Sequence, residues 1–338
     1  MTSKNQPSTS ATNTDLGKHI LTWMNQAGQS LKQSTWAPAL HYYGTDVWET
    51  MIIPIFYGLL ELGKNPAQKD ASNAKTKNLY RQFKFIKDRR LPNTVQTRLD
   101  HLSGNFFSQR PGDATVYLFP TQVSHLSHHL PLAKALRAQG LSLEFAVSSG
   151  AMVRKLRQAG EQSIYLPKLS SRKKLQIEFD KNQAIGYLEK SPDVSLPEFP
   201  LDIAESQIVA RLRKKLSSGI SQAHQNHHWI EPFLRERSGK SLVVIGNDLN
   251  IPGRVAAQLA SKHAIPSIYV EHGLTTGAVI NGSRIVDHVL AWGEAGKRQL
   301  IEYGTNEEKI QVCGAPAMDD APIQSNNVDP RITGRLKL

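Results

Sequence analysis

The stretch "ATVYLFPTQVSHLSHHLPLAKALRAQGLSLEFAV" (residues 114–147) decides the fold. It opens with a short β-rich run, "ATVYLF" (114–119), just after the turn signal "PGD". An amphipathic segment follows, "HLPLAKALRAQG", and stops on Gly140, where a helix end calls for left-handed backbone. "LSLEFAV" (141–147) is the next β-rich run. A strand, a crossover helix and a second strand form the unit that joins parallel neighbours. The pattern continues outward with "GAMVRKLRQAG" (150–160), again ended by glycine, and "QSIYLP" (162–167). After an excursion it resumes with "SLVVIG" (241–246), a helix from about Gly253 to His263, "PSIYV" (266–270), "HVLAW" (288–292), "EAGKRQLIEYG" (294–304) and "KIQVCG" (309–314). The alternation predicts an α/β fold over residues 111–320, a Rossmann-like parallel sheet with helices on both faces. Within the excursion, 168–200 reads as a charged, proline-interrupted loop and 201–235 as a basic helix.

Residues 15–110 read as a helical region, on the apolar spacing of "LGKHILTWMNQAGQSL" (16–31) and "NTVQTRLDHLSGNFF" (93–107). Residues 1–14 read as a disordered polar tail without the apolar core of a secretory signal. "MIIPIFYGLL" (51–60) is too short to span a bilayer. It reads either as a buried helix or as one lying on a membrane surface. Residues 321–338 read as a turn-rich linker into a second domain that is expected to be missing.

The 338 residues, 39% hydrophobic and 21% charged, describe a globular chain with room for about two domains. Cys313 is the one cysteine, so no internal disulfide forms, and a reducing, cytoplasmic setting is expected. Its place in a strand predicts a buried thiol. The net charge of +12 attracts phosphates and anionic lipid. Its basic residues come in scattered groups, "KDRR" (87–90), "SRKK" (171–174) and "RLRKK" (211–215), with no aromatic ladder beside them. Nucleic acid is therefore not an expected partner.

In open parallel sheets ligands bind at the carboxyl ends of strands. Three polar loops fall there. "YVEHGLTTG" (269–277) offers Glu271, His272, Gly273, Thr275 and Thr276. It is either an active-site loop or a polar turn with an N-cap at Thr276. "TQVSHLSHHLP" (121–131) holds His125, His128 and His129. A strand-end histidine can act as general base, since its ordinary pKa lies near working pH. The other reading is a set of solvent-facing histidines. No cysteine or nearby carboxylate completes a tetrahedral zinc set, so no metal is expected. "GNDLN" (246–250) brings Asn247 and Asp248, the latter an N-cap, a ligand contact or a catalytic acid. No GxGxxG or Walker A loop is present.

Taken together, "SHHLPLAKALRAQGLSLEFAVSSGAMVRKLRQAG", "IPSIYVEHGLTTG", "DHVLAWGEAGKRQLIEYG" and "KIQVCGAP" resemble the N-terminal half of GT-B superfamily glycosyltransferases, over about 113–320. The likeness extends to bacterial surface and capsular polysaccharide enzymes and to the related UDP-N-acetylglucosamine 2-epimerases. The resemblance implies transfer of a sugar from a nucleotide-sugar donor, a substrate rather than a cofactor, to a glycan or lipid-linked acceptor. It implies that His128 and His272 match catalytic positions, and that Glu271 and Asp248 fall near two acidic positions of the epimerases. His125, His129, Asn247, Gly273, Thr275 and Thr276 are then expected to contact substrate. The epimerases carry an acid shortly before an arginine in the next loop, whereas "VINGSR" (279–284) has none. Transferase therefore ranks first, ahead of an epimerase-like enzyme and of a non-catalytic binding domain. Peripheral contact with the inner face of an anionic membrane is a further expectation.

Overall fold

The computed structural model describes residues 9–62, 116–166, 169–237, 241–272 and 279–316. Expectations for 93–107, 321–338 and the residues Gly273, Thr275 and Thr276 lie outside the described residues. Strands β3 (Val116–Phe119), β4 (Leu143–Val147), β5 (Ser163–Tyr165), β6 (Leu242–Ile245), β7 (Ser267–Val270), β8 (His288–Ala291) and β9 (Ile310–Val312) form one seven-stranded sheet. The order is β5-β4-β3-β6-β7-β8-β9, and every pairing is parallel. The sheet is Rossmann-like, as the alternation predicts. A separate antiparallel pair, β1 (His41–Tyr42) and β2 (Thr45–Asp46), lies near the N-terminus.

Both faces of the sheet are buried, which is why its strands read as apolar runs rather than alternating ones. Val116, Leu118, Phe145 and Val244 pack with helices α4 (Leu126–Ala138) and α5 (Gly150–Gln158) on one face. Tyr117, Phe119, Val243 and Ile245 pack on the other, against α7 (Glu205–Arg235) and α8 (Ile251–Lys262). Helix α9 (Glu294–Glu302) adds Leu300 to the same face. Gly140 and Gly160 take φ of +79° and +75°. Behind each, the next amide closes a six-to-one bond, from Leu141 to Leu136 and from Glu161 to Leu156. These bonds satisfy carbonyls that the helix end would leave bare.

A helical layer covers the second face. Helices α1 (Thr9–Leu31), α2 (Ala37–Leu40) and α3 (Val47–Leu60) share one apolar core with α6 (Ser171–Glu189) and α7. Three expectations are corrected here and one open alternative is decided. Helix α1 begins inside the stretch read as a tail, because extending an anchored helix costs far less than nucleating one. Residues 171–189 form α6 rather than a loop: Ile177, Ala184 and Leu188 are buried, the last two in the core of the helical layer. The apolar helix α3 takes the buried reading, with Trp48, Met51, Ile55, Phe56 and Leu59 buried. Cys313 is exposed, because β9 is an edge strand that buries only Ile310. Among the described residues no helix is long and apolar enough to cross a membrane.

The turn from β6 into α8 is the tightest part of the frame. A Cβ on Gly253 would stand 1.7 Å from the carbonyl oxygen of Asn247. That oxygen is backbone and cannot rotate away. Gly253→Ala is expected to destabilise the protein by about 1–3 kcal/mol, read as a lower urea midpoint with an unchanged m-value. An unaltered midpoint would mean that the turn is loose.

Candidate active site

From β3 the chain winds outward to β5, then crosses back to β6 and winds the other way to β9. The winding reverses between β3 and β6. Helices α4 and α8 therefore leave this point toward opposite faces and open a crevice at the carboxyl ends of the strands. Thr121 and His125 approach it from β3, and Gly246 and Asn250 from β6. Asn250, not Asp248, caps α8: its side-chain oxygen accepts the Gly253 amide at 2.9 Å. Its amide group donates to the Thr121 hydroxyl at 2.7 Å, and that hydroxyl lies 3.3 Å from His125 Nδ1. A Cβ on Gly246 would come within 2.5 Å of the same nitrogen, so only glycine leaves room for this imidazole. Asn247 accepts the Leu249 amide at 2.8 Å in a local turn.

The loop after β7 brings His272 into the same place. Its ring centre is 4.6 Å from that of His125 and 6.0 Å from that of His128. Trp292, one residue past β8, stacks obliquely 5.7 Å from His128. Two of the three strand-end loops thus converge through His125, His128 and His272. His129 sits beside them without a ring contact of its own among the described residues. One step along a helix turns a side chain by about 100°, and His129, like His125, is buried at 2% exposure.

The two carboxylates also differ from expectation. Asp248 is fully buried. One oxygen meets Arg284 at 2.5 Å and the other accepts the Ile285 amide at 3.0 Å. Glu271 is buried too, and accepts the Trp292 amide at 2.8 Å. Neither presents an open oxygen to the crevice as the catalytic reading required. The reason is long-range: their partners lie twenty or more residues downstream, on loops that only folding brings near.

Arg284 carries the effect of that ion pair toward the histidines. Its guanidinium lies 3.9 Å from the ring of Tyr269, whose hydroxyl is 3.2 Å from His272 Nδ1. With the phenol donating to His272 Nδ1, the imidazole proton sits on Nε2. Burial first, then the Arg284 charge, lowers the His272 pKa to about 4. Burial, then His272 and His128, lowers His125 to about 4. His129 falls to about 3, again mainly through burial. His128 is the least enclosed of the four, and burial lowers it as well. Its Nδ1 has no hydrogen-bond partner among the described residues. The cluster is thus a set of neutral imidazoles at neutral pH. No group of three His, Cys, Asp or Glu among the described residues could hold a metal.

Tyr269, Arg284, Trp292, Thr121 and Asn250 were not singled out from sequence. Trp292 and Asn250 follow strands as the three loops do, so the strand-end rule reaches them. Arg284 was marked only as the arginine that closes "VINGSR", with no signal for its partner Asp248.

No family model matches the chain, and no curated protein matches it. Among solved structures it is similar to a UDP-N-acetylglucosamine 2-epimerase from Rickettsia bellii, at 14% identity and a TM-score of 0.33. That match covers 61% of this chain and 47% of the other, so the chain spans less than half of the epimerase.

Two measurements test the site. Removing one partner of a buried ion pair strands the other charge, so Asp248→Ala is expected to cost about 3–5 kcal/mol in denaturant unfolding. The histidines set a pH dependence. In the unfolded chain they titrate near 6.5, in the folded one near 3 to 4. The unfolded state binds more protons in between, so this stability is complete above about pH 6.5 and is lost as pH falls. The urea midpoint should decline between about pH 6.5 and 5, above the range where carboxylates titrate. A level midpoint would contradict the burial of these rings.

Proposed function

We propose that this chain is the acceptor-side domain of a GT-B-type glycosyltransferase acting in bacterial surface polysaccharide synthesis. It would transfer a sugar from a nucleotide-sugar donor to a glycan or lipid-linked acceptor. The observation that carries this reading is the convergence of His125, His128 and His272 beside the point where the sheet reverses its winding.

The residues divide the work. His128 is the base: it is less buried than His125 and His129, and its ring stands 6.0 Å from that of His272. It takes the proton of the acceptor hydroxyl as that oxygen attacks the anomeric carbon and the nucleoside diphosphate departs. A lowered pKa makes it a weak base in the empty site. A negatively charged substrate beside it raises its proton affinity when catalysis needs it. His272, with its proton on Nε2, serves as a donor that orients an oxygen of the acceptor or stabilises charge as it develops. Tyr269 holds that tautomer from behind. The epimerase alternative needs Asp248 and Glu271 as an acid–base pair, and the engagement of both with Arg284, Ile285 and Trp292 speaks against it.

The test is release of nucleoside diphosphate from a panel of nucleotide sugars, with and without glycan acceptors. His128→Ala is expected to lower the rate by about 10²–10⁴-fold with the fold intact by circular dichroism. His272→Ala is expected to lower it by about 10²-fold or more. Acceptor-independent formation of an isomerised sugar would replace this reading with the epimerase one. Full turnover in both variants would remove the histidines from the mechanism.

A further inference from the structure

A second polar cleft lies at the opposite edge of the sheet. Helix α7 ends at Arg235 before β6 begins, and α8 ends at Lys262 before β7 begins. Both cations therefore sit at the amino-terminal edge of the strands, away from the histidine cluster. The start of α6 closes the cleft from the side with Arg172 and Lys173. Tyr43, at the turn between β1 and β2, forms its lip. The cavity measures about 750 Å³, within the range of small-molecule sites. Four cations line it against one carboxylate, Glu231.

Three features set this cleft apart from ordinary basic surface. The first is the placement of charge at α6. Its first turn carries Arg172, Lys173 and Lys174 and no acidic residue. Helix amides already make that end positive, so cations there repel it. The sequence keeps an arrangement that costs stability in the empty protein.

The second is how Lys173 is held. The Tyr42 hydroxyl donates to Asp180 at 2.9 Å, so it accepts from His228 Nε2, 2.8 Å away. His228 Nδ1 is then a lone pair facing Lys173 Nζ at 3.4 Å. The imidazole is neutral and points the ammonium without neutralising it. Burial and the charge of Lys173 both keep His228 unprotonated.

The third is Tyr43. It has φ of +48°, followed by Gly44 at +86°, and its ring is 62% exposed. A two-residue hairpin turn of this hand favours Asn, Asp or Gly at the first position. A large aromatic there is strained and keeps most of its surface exposed, with its ring 4.8 Å from that of Tyr42. Lys262 Nζ donates to the Tyr43 carbonyl at 2.9 Å, which fixes the turn at the rim. Strain at a non-glycine residue beside a ligand-sized cleft marks a site that uses the side chain.

We propose that this cleft binds a phosphate ester, its phosphate held by Arg172, Lys173, Arg235 and Lys262, and its organic ring laid against Tyr43. Phosphate is the chemistry that several cations lining one cleft recognise. The cavity is larger than one phosphate needs, and the aromatic lip gives the remainder a flat partner. The ester is either free in solution or the headgroup of an anionic lipid.

The experiment titrates the full chain with inorganic pyrophosphate, with glucose 1-phosphate and with glucose by calorimetry. A parallel arm floats it with phosphatidylglycerol-containing vesicles and with pure phosphatidylcholine vesicles. The double variant Arg172→Gln/Lys262→Gln and the single variant Tyr43→Gly are compared with the wild type, and His128→Ala serves as control. Binding of pyrophosphate and glucose 1-phosphate but not glucose, weakened about ten- to hundredfold in the double variant, supports a soluble ester. Flotation with phosphatidylglycerol alone, lost in the double variant, supports a lipid headgroup. Tyr43→Gly should weaken glucose 1-phosphate more than pyrophosphate. In the double variant the loss of Arg172 relieves repulsion at the start of α6 while the loss of Lys262 removes its bond to the Tyr43 carbonyl, so circular dichroism checks that the variant is folded before binding is read. His128→Ala should bind as the wild type does, which separates this site from the proposed transferase centre. Absence of binding in both arms, or equal binding by the double variant, would overturn the proposal.

Discussion

Two buried arginines hold the architecture to its site. Arg254, wholly enclosed on α8, donates to the Glu49 carbonyl at 2.7 Å, the Ser283 carbonyl at 2.8 Å and the Asp248 carbonyl at 3.2 Å. It also pairs with the Glu49 carboxylate. Arg284 pairs with the Asp248 side chain. Three segments distant in sequence, the first turn of α3, the loop after β6 and the approach to β8, thus meet at two guanidiniums. A buried arginine is tolerable only when its fixed fork of donors finds acceptors, and here backbone carbonyls supply most of them. The geometry is demanding in return. Arg254 thus ties helix α3 to α8 and to the approach to β8.

The same charges shape the chemistry of the crevice. Arg284 is satisfied by Asp248 on one side and lies over Tyr269 on the other, so its field reaches His272 without any net charge being exposed. Burial lowers the proton affinity of every imidazole in the cluster, and the arginine lowers it further at His272. Neutral imidazoles beside the Tyr269 hydroxyl leave this cluster with no fixed charge of its own.

What could be read from the sequence follows a physical line. The parallel sheet was legible because strands buried on both faces must be apolar throughout, and because glycine marks the helix ends. Helix α6 was not. Leu175, Phe179 and Tyr187 are exposed on it, its buried face is narrow, and its partners are helices far along the chain. His125, His128 and His272 were legible from the strand-end rule alone. The roles of Asp248 and Glu271 were not, because a carboxylate reads the same whether it faces a ligand or an arginine. The turn of His129 away from His128 needed the helix register, and Arg284 needed the fold itself.

The two edges of the sheet also divide the protein's positive charge unequally, and not every cation carries the same information. Arg235 and Lys262 end α7 and α8, where free carbonyls make a helix terminus negative, so local structure already favours them. Their presence would require no ligand. Arg172 and Lys173 stand at the opposite kind of terminus, where the helix opposes them. Ser170 already caps that end by accepting the Lys173 amide, so the cations add nothing to its termination. A residue that local structure disfavours, at a helix start that is otherwise complete, is explained by what it meets from outside. The scattered basic groups of the sequence therefore differ in kind, and the difference becomes visible only when each is placed at one end of a helix.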